Sequence, residues 1–151
     1  MFIIENFLEE DIILNLKKII DNEIANSLCL TSPVYQSYNN MHLKYKDNTD
    51  LTLFLEKIKK NIEQHLTINE CWFNICRKDS KFDFHNHSSP FTAVYFLEGC
   101  ENNGTLFKIN NVILQLKSKD NSVLFFEPSI YHCIPGWDNK DRYSIAVDFK
   151  L

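Results

Sequence analysis

The sequence predicts an α+β protein in which two helices support a β-rich half. Over the first 68 residues apolar side chains recur at helical spacing; from Asn69 onward the period falls to two. A content of 12 Phe, 6 Tyr and 2 Trp in 151 residues favours strands and a globular core. At this length a single domain over 1–151 is expected, with 1–68 as helical support and 69–151 as the β core. A chain of this size hides roughly 68–70% of its unfolded surface, enough for a core that needs no staples.

In EEDIILNLKKIIDNEI the residues Ile12, Ile13, Leu16, Ile19 and Ile20 make a helical stripe, with Glu9, Glu10 and Asp11 at the end where the dipole favours anions. A second helix is expected over DLTLFLEKIKKNIEQHL, with Leu51, Phe54, Leu55, Ile58 and Ile62 on one face and Asp50 as its N-cap. Next come CWFNIC, KFDFH, FTAVYFL, TLFKI, VILQL, SVLFF and RYSIAVDF, separated by turn signals such as EGCENNG, INN and SKDNS. Seven or eight short strands without intervening helices suggest an antiparallel sandwich or barrel.

The formal charge is −4 and the lysines are dispersed, which argues against a nucleic-acid partner. MFIIENFLEED lacks the basic start of a signal peptide, and no apolar run approaches the roughly 20 residues of a membrane span. Cys29, Cys71, Cys76, Cys100 and Cys133 show no zinc-site spacing and read as free, mostly buried thiols in a reducing cytoplasm. Pro128, Pro135, Gly104 and Gly136 read as turn positions, Trp72 and Trp137 as core or rim aromatics, and His42 and His65 as ordinary residues.

Three histidines in the β half carry chemistry. In FHNHSSPFTAVYFLEG, His85 and His87 are two apart; on an extended strand they share a face, with Cα atoms roughly 6.6 Å apart. His132 follows on a distant strand, and three such imidazoles can wrap a metal ion, although a lone histidine in a core is more often just hydrogen-bonded. Beyond His132, Arg142 and Ser144 share a face of the final strand. A buried guanidinium needs an anion. Asp138, Asp141 and Asp148 are the candidates for a structural ion pair; the functional reading is a fork that grips a ligand carboxylate bidentately.

The order W-x-N, H-x-H, a VYFL-type strand, FFEPSIYHCIPG and R-x-S in RYSIAVDF resembles the 2-oxoglutarate and Fe(II)-dependent oxygenases, most of all their small prolyl-hydroxylase-like branch. The likeness spans about Cys71 to Phe149, and the N-terminal helices are similar to those that buttress the prolyl-hydroxylase core. It implies a double-stranded β-helix, a distorted jelly roll, with Fe(II) at one open end. His85 would match the first histidine of the family motif, His132 the distal one, and Arg142 with Ser144 the pair that binds the far carboxylate of 2-oxoglutarate. Tyr95 and Asn74 lie on strands whose inward residues line the cosubstrate pocket in such enzymes. The implied activity is hydroxylation of a peptide or amino-acid-like substrate, with succinate and CO2 as co-products. The connection SLCLTSPVYQSYNNMHLKYKDN and the EGCENNG tip could wall that substrate, or be plain surface loops.

The chain departs from the family at position 87, where a carboxylate is usual. His87 is the first choice as ligand, giving a three-histidine site; water or substrate could fill the position instead, or Asp83 could supply an oxygen. Three neutral imidazoles leave Fe(II) its full charge, which a 2-oxoglutarate dianion would cancel. Two alternatives remain: a cupin-like or zinc enzyme built on the same three histidines, and an oxygenase fold that binds without turnover. A closed structural metal site would need a fourth ligand, and Cys133 should face away from His132.

Overall fold

Helix α1 (Glu10–Asn26) forms where the apolar stripe and acidic first turn place it, burying Leu16 and Ile20. Helix α3 (Thr49–Lys59) follows a short helix α2 (Met41–Lys44) and buries Leu51, Phe54, Leu55 and Ile58. Its cap is Asn48 and not Asp50: the Asn48 side chain accepts from the Leu51 N–H at 2.9 Å, while Asp50 sits in the first turn and accepts from Asn15. The helix also stops short of the expected 66. Asn61 donates from its side chain to the Lys57 carbonyl, competing with the helical ladder. This structure is a computed structural model and describes residues 1–26, 34–77, 82–100, 104–117, 119–134 and 140–151. Cys29, Pro135, Gly136, Trp137 and Asp138, with parts of both expected substrate-wall segments, lie outside the described residues.

Among the described residues ten strands make two antiparallel sheets of a jelly roll. They are β1 (Phe2–Glu5), β2 (Val34–Gln36), β3 (Thr67–Cys76), β4 (Phe82–His85), β5 (Phe91–Glu98), β6 (Thr105–Ile109), β7 (Val112–Leu116), β8 (Ser122–Phe126), β9 (Tyr131–Ile134) and β10 (Arg142–Lys150). The larger sheet runs β1-β8-β5-β10-β3-β2 and the smaller β4-β9-β6-β7. Two strands thus come from the half expected to be helical only; FIIE and VYQ are too short to show a period. The β6–β7 turn is Asn110-Asn111, both with positive φ (50° and 64°), which suits the twist of a two-residue hairpin.

The larger core lies between the helices and one face of the six-stranded sheet, where Leu16, Ile20, Phe54 and Ile58 meet Phe73, Ile75, Tyr95, Ile145 and Val147. A smaller core between the two sheets contains Phe96, Cys100, Phe107, Leu124 and Phe126. The rest of the space between the sheets is an open cavity of about 1060 Å³. Asn121 (φ 57°) ties the N-terminal segment to the sheet: its side chain accepts from the Leu8 N–H and Tyr95 hydroxyl and donates to the Leu8 carbonyl. No described helix is long and apolar enough to cross a membrane.

Candidate metal centre

Strands β4 and β9 pair so that His85 lies directly opposite His132. β4 ends at His85, so His87 sits just past the strand and not on it. Its N–H donates to the Pro128 carbonyl at 2.9 Å, which fixes the turn and returns the ring toward the other two. Ring centroids are 4.5 Å apart for His85 and His132, 5.1 Å for His87 and His132, and 5.2 Å for His85 and His87. One ligand atom from each of the three lies within 4.8 Å of the others.

Each ring is oriented through Nδ1. His85 Nδ1 meets the Asp83 carbonyl at 2.8 Å, His132 Nδ1 the Ile130 carbonyl at 2.8 Å, and His87 Nδ1 the Asp148 carboxylate at 3.0 Å. Acceptors at these positions require Nδ1–H and so place each lone pair on Nε2. Burial pushes the His132 pKa down to about 4, so this ring is the neutral imidazole that ligation demands. Asp83 contributes only its backbone carbonyl to the centre; its side chain is exposed and not among the three converging groups.

The same cavity contains Arg142, Ser144 and Asn74. Ser144 is directly opposite Asn74 in the β10–β3 register, and all three side chains are buried. Arg142 is 1% exposed, and among the described residues its Nε and Nη1 have no hydrogen-bond partner, nor has Asn74 Oδ1. The guanidinium lies over the Phe96 ring, 5.0 Å from its centroid. Its thiol neighbours cannot serve as counter-anions, because burial raises Cys76 to about 11 and Cys100 to about 12. The alternative reading, a structural ion pair, is not seen among the described residues: Asp148 pairs with His87, neither it nor Asp141 pairs with Arg142, and Asp138 lies outside them. A buried cation with unused donors facing a cavity fits an incoming carboxylate.

Tyr95 does not join the site. On β5 the cavity side belongs to Thr92 and Val94, so Tyr95 projects to the other face, against Phe7 and Phe54. Its strand is apolar on both faces, and alternation alone could not assign the side. Asp148 and Thr92 are the cavity residues that sequence reasoning passed over as parts of the centre. The available signal for Asp148 was its even spacing from Arg142 and Ser144 on one strand.

Solved structures with this architecture cover almost all of the chain. HygX from Streptomyces hygroscopicus, with nickel and 2-oxoglutarate bound, has a TM-score of 0.74 and 11% identity over 99% of this chain and 81% of its own. A Pseudomonas putida prolyl-4-hydroxylase gives 0.71 and 12%, over 99% and 91%. A Trichoplax adhaerens prolyl hydroxylase, in complex with a hypoxia inducible factor oxygen degradation domain peptide fragment, gives 0.70 and 12%, over 99% and 82%. The chain therefore has the fold of the 2-oxoglutarate and Fe(II)-dependent oxygenases, the double-stranded β-helix that the sequence resemblance implied. No protein-family model and no curated protein sequence matches it.

Proposed function

We propose that this protein is an Fe(II)- and 2-oxoglutarate-dependent oxygenase that hydroxylates a peptide or amino-acid-like substrate. The observation that carries this is Arg142: a buried guanidinium with unused donors, on the wall of the same cavity as three converging imidazoles. His85, His87 and His132 would hold the iron through Nε2, while Arg142 and Ser144 would hold the distal carboxylate of 2-oxoglutarate, with Asn74 beside them. Tyr95, turned into the core, leaves the cosubstrate set. When bound, iron would supply the activation of O2, the oxidant, with 2-oxoglutarate as the co-reductant: one oxygen atom would pass to the substrate and the other to succinate, with CO2 released.

The chain's own part is positioning and the exclusion of water. Arg142 is buried in the cavity wall, so an arriving carboxylate would form charge-assisted bonds with it in a low-dielectric setting. Trp72, whose ring lies 5.9 Å from that of His87, and Phe126, 4.8 Å from His132, shield the imidazoles from bulk solvent. Toward the mouth, Gln36, Asn39, Asn69 and Ser88 offer amide and hydroxyl groups suited to a peptide backbone or polar side chain. The shared fold with prolyl hydroxylases favours the same substrate class.

The test is anaerobic titration of apoprotein with Fe(II) and then 2-oxoglutarate, following the weak visible charge-transfer band of the chelate. The band is expected in wild type and lost in His85→Ala and His132→Ala. Metal binding without a band, and without protection against heating by 2-oxoglutarate, would transfer the assignment to zinc or cupin-like chemistry or to a non-catalytic binding protein.

A further inference from the structure

Asp148 is 5% exposed, and no Lys or Arg pairs with it among the described residues. Its directly opposite neighbour on β3 is a second acid, Glu70, whose carboxylate accepts from Asn39. On the β5 side it faces Thr92, whose hydroxyl donates to Asp148 Oδ1 and lies 3.3 Å from the Ser89 hydroxyl. The other oxygen, Oδ2, accepts from His87 Nδ1 at 3.0 Å. Two hydrogen bonds orient this carboxylate but leave its charge uncompensated, which is costly in a buried site.

Compensation can reach it through the His87 ring, to which it is hydrogen-bonded. We propose that Asp148 is the carboxylate of this metal centre, moved one residue outward: it acts on the metal through His87, as a positioning residue, and does not ligate. This rests on the oxygenase reading above. Asp148 locks His87 in the Nδ1–H tautomer, aims Nε2 at the space shared with His85 and His132, and makes the imidazole a stronger donor. Charge follows. Three neutral imidazoles and a divalent ion amount to +2, but with Asp148 counted the centre is +1, equal to a centre of two histidines and one ligating carboxylate. The substitution of His for an acid at position 87 therefore changes the ligand atom while preserving the local charge.

The test uses Co(II) alone, with the d–d absorption of the full-length protein and its metal-induced shift in melting temperature as readouts; neither requires turnover. Asp148→Asn can keep both hydrogen bonds while removing the charge, and Asp148→Ala removes both. Co(II) affinity is expected to fall roughly 10-fold in Asp148→Asn and roughly 100-fold in Asp148→Ala, the range found for partners behind metal-bound histidines. The d–d spectrum should change in Asp148→Ala, while the metal-free melting temperature of Asp148→Asn stays level or rises. A purely structural role predicts the reverse: a lower metal-free melting temperature with unchanged affinity and spectrum. Should Asp148→Ala fail to fold, Thr92→Val, which removes the hydroxyl that holds Oδ1, is expected to weaken Co(II) binding by about 3- to 10-fold. Wild-type affinity and spectrum in both Asp148→Asn and Thr92→Val overturn the inference. Histidine-dependent Co(II) binding indifferent to position 148 sinks this inference only, whereas binding that survives His85→Ala and His132→Ala sinks the oxygenase reading with it.

Discussion

On one face of β10, Tyr143, Ile145, Val147 and Phe149 pack into the larger core; on the other, Arg142, Ser144, Ala146 and Asp148 line the cavity. Both faces are buried, yet they are finished differently. On the core face even the polar tip is satisfied, since the Tyr143 hydroxyl donates to Asp21 at 2.7 Å. On the cavity face Arg142 and, opposite Ser144 on β3, Asn74 keep atoms without partners among the described residues. The core face makes the fold stable at the expense of nothing else, while the cavity face holds polar groups whose missing partners a ligand can supply.

Substitutions on the two faces should separate stability from binding. The largest effect is expected from Phe73→Ala, on the core side of β3 and fully buried against the helices: a loss of about 3–5 kcal/mol, read by urea denaturation. On the cavity side, Arg142→Met should reduce 2-oxoglutarate affinity by about 100-fold, measured calorimetrically. Its metal affinity should be unchanged and its stability level or higher, because an unpaired buried charge is exchanged for an apolar chain of similar volume. Loss of both metal and 2-oxoglutarate binding in Arg142→Met would instead make the guanidinium a structural element of the wall. The smallest effect belongs to a helix end remote from both faces: Asn48→Ala should cost about 1 kcal/mol in the same denaturation assay, and Asp50→Ala less.

The two faces also differed in how legible they were. Alternation along RYSIAVDF put Arg142 and Ser144 together because the opposite residues, Tyr143 and Ile145, are apolar. H-x-H spacing brought His85 and His87 to one place even though the strand ends between them; the Pro128 carbonyl, not the pleat, restores the geometry. FTAVYFL offered no such contrast, and the side taken by Tyr95 is decided by the Asn121 and Phe54 contacts that only the folded chain creates. Asp148 was visible as an acid beside Arg142, but its pairing with His87 joins residues 61 positions apart, and nothing local to either records it. Asn48 and Asp50 are both capping residue types two positions apart, a choice that backbone angles make and composition does not.

The place of β10 in the sheet has a consequence for how the protein is made. It sits between β5 and β3 in the larger sheet, yet it is the last strand in chain order. While a ribosome is still upstream of residue 142, β3 and β5 have no strand between them, and their core-facing apolar residues have nothing to close over. β1 must likewise wait more than 100 residues for β8. Local helices can form early, but the sheet is a late and non-local event, of the kind that folds in milliseconds to seconds rather than microseconds. The strand that brings Arg142, Ser144 and Asp148 to the cavity is thus also the one that completes the sheet, so a nascent chain acquires the polar wall of its cavity and its stable core in a single closing step.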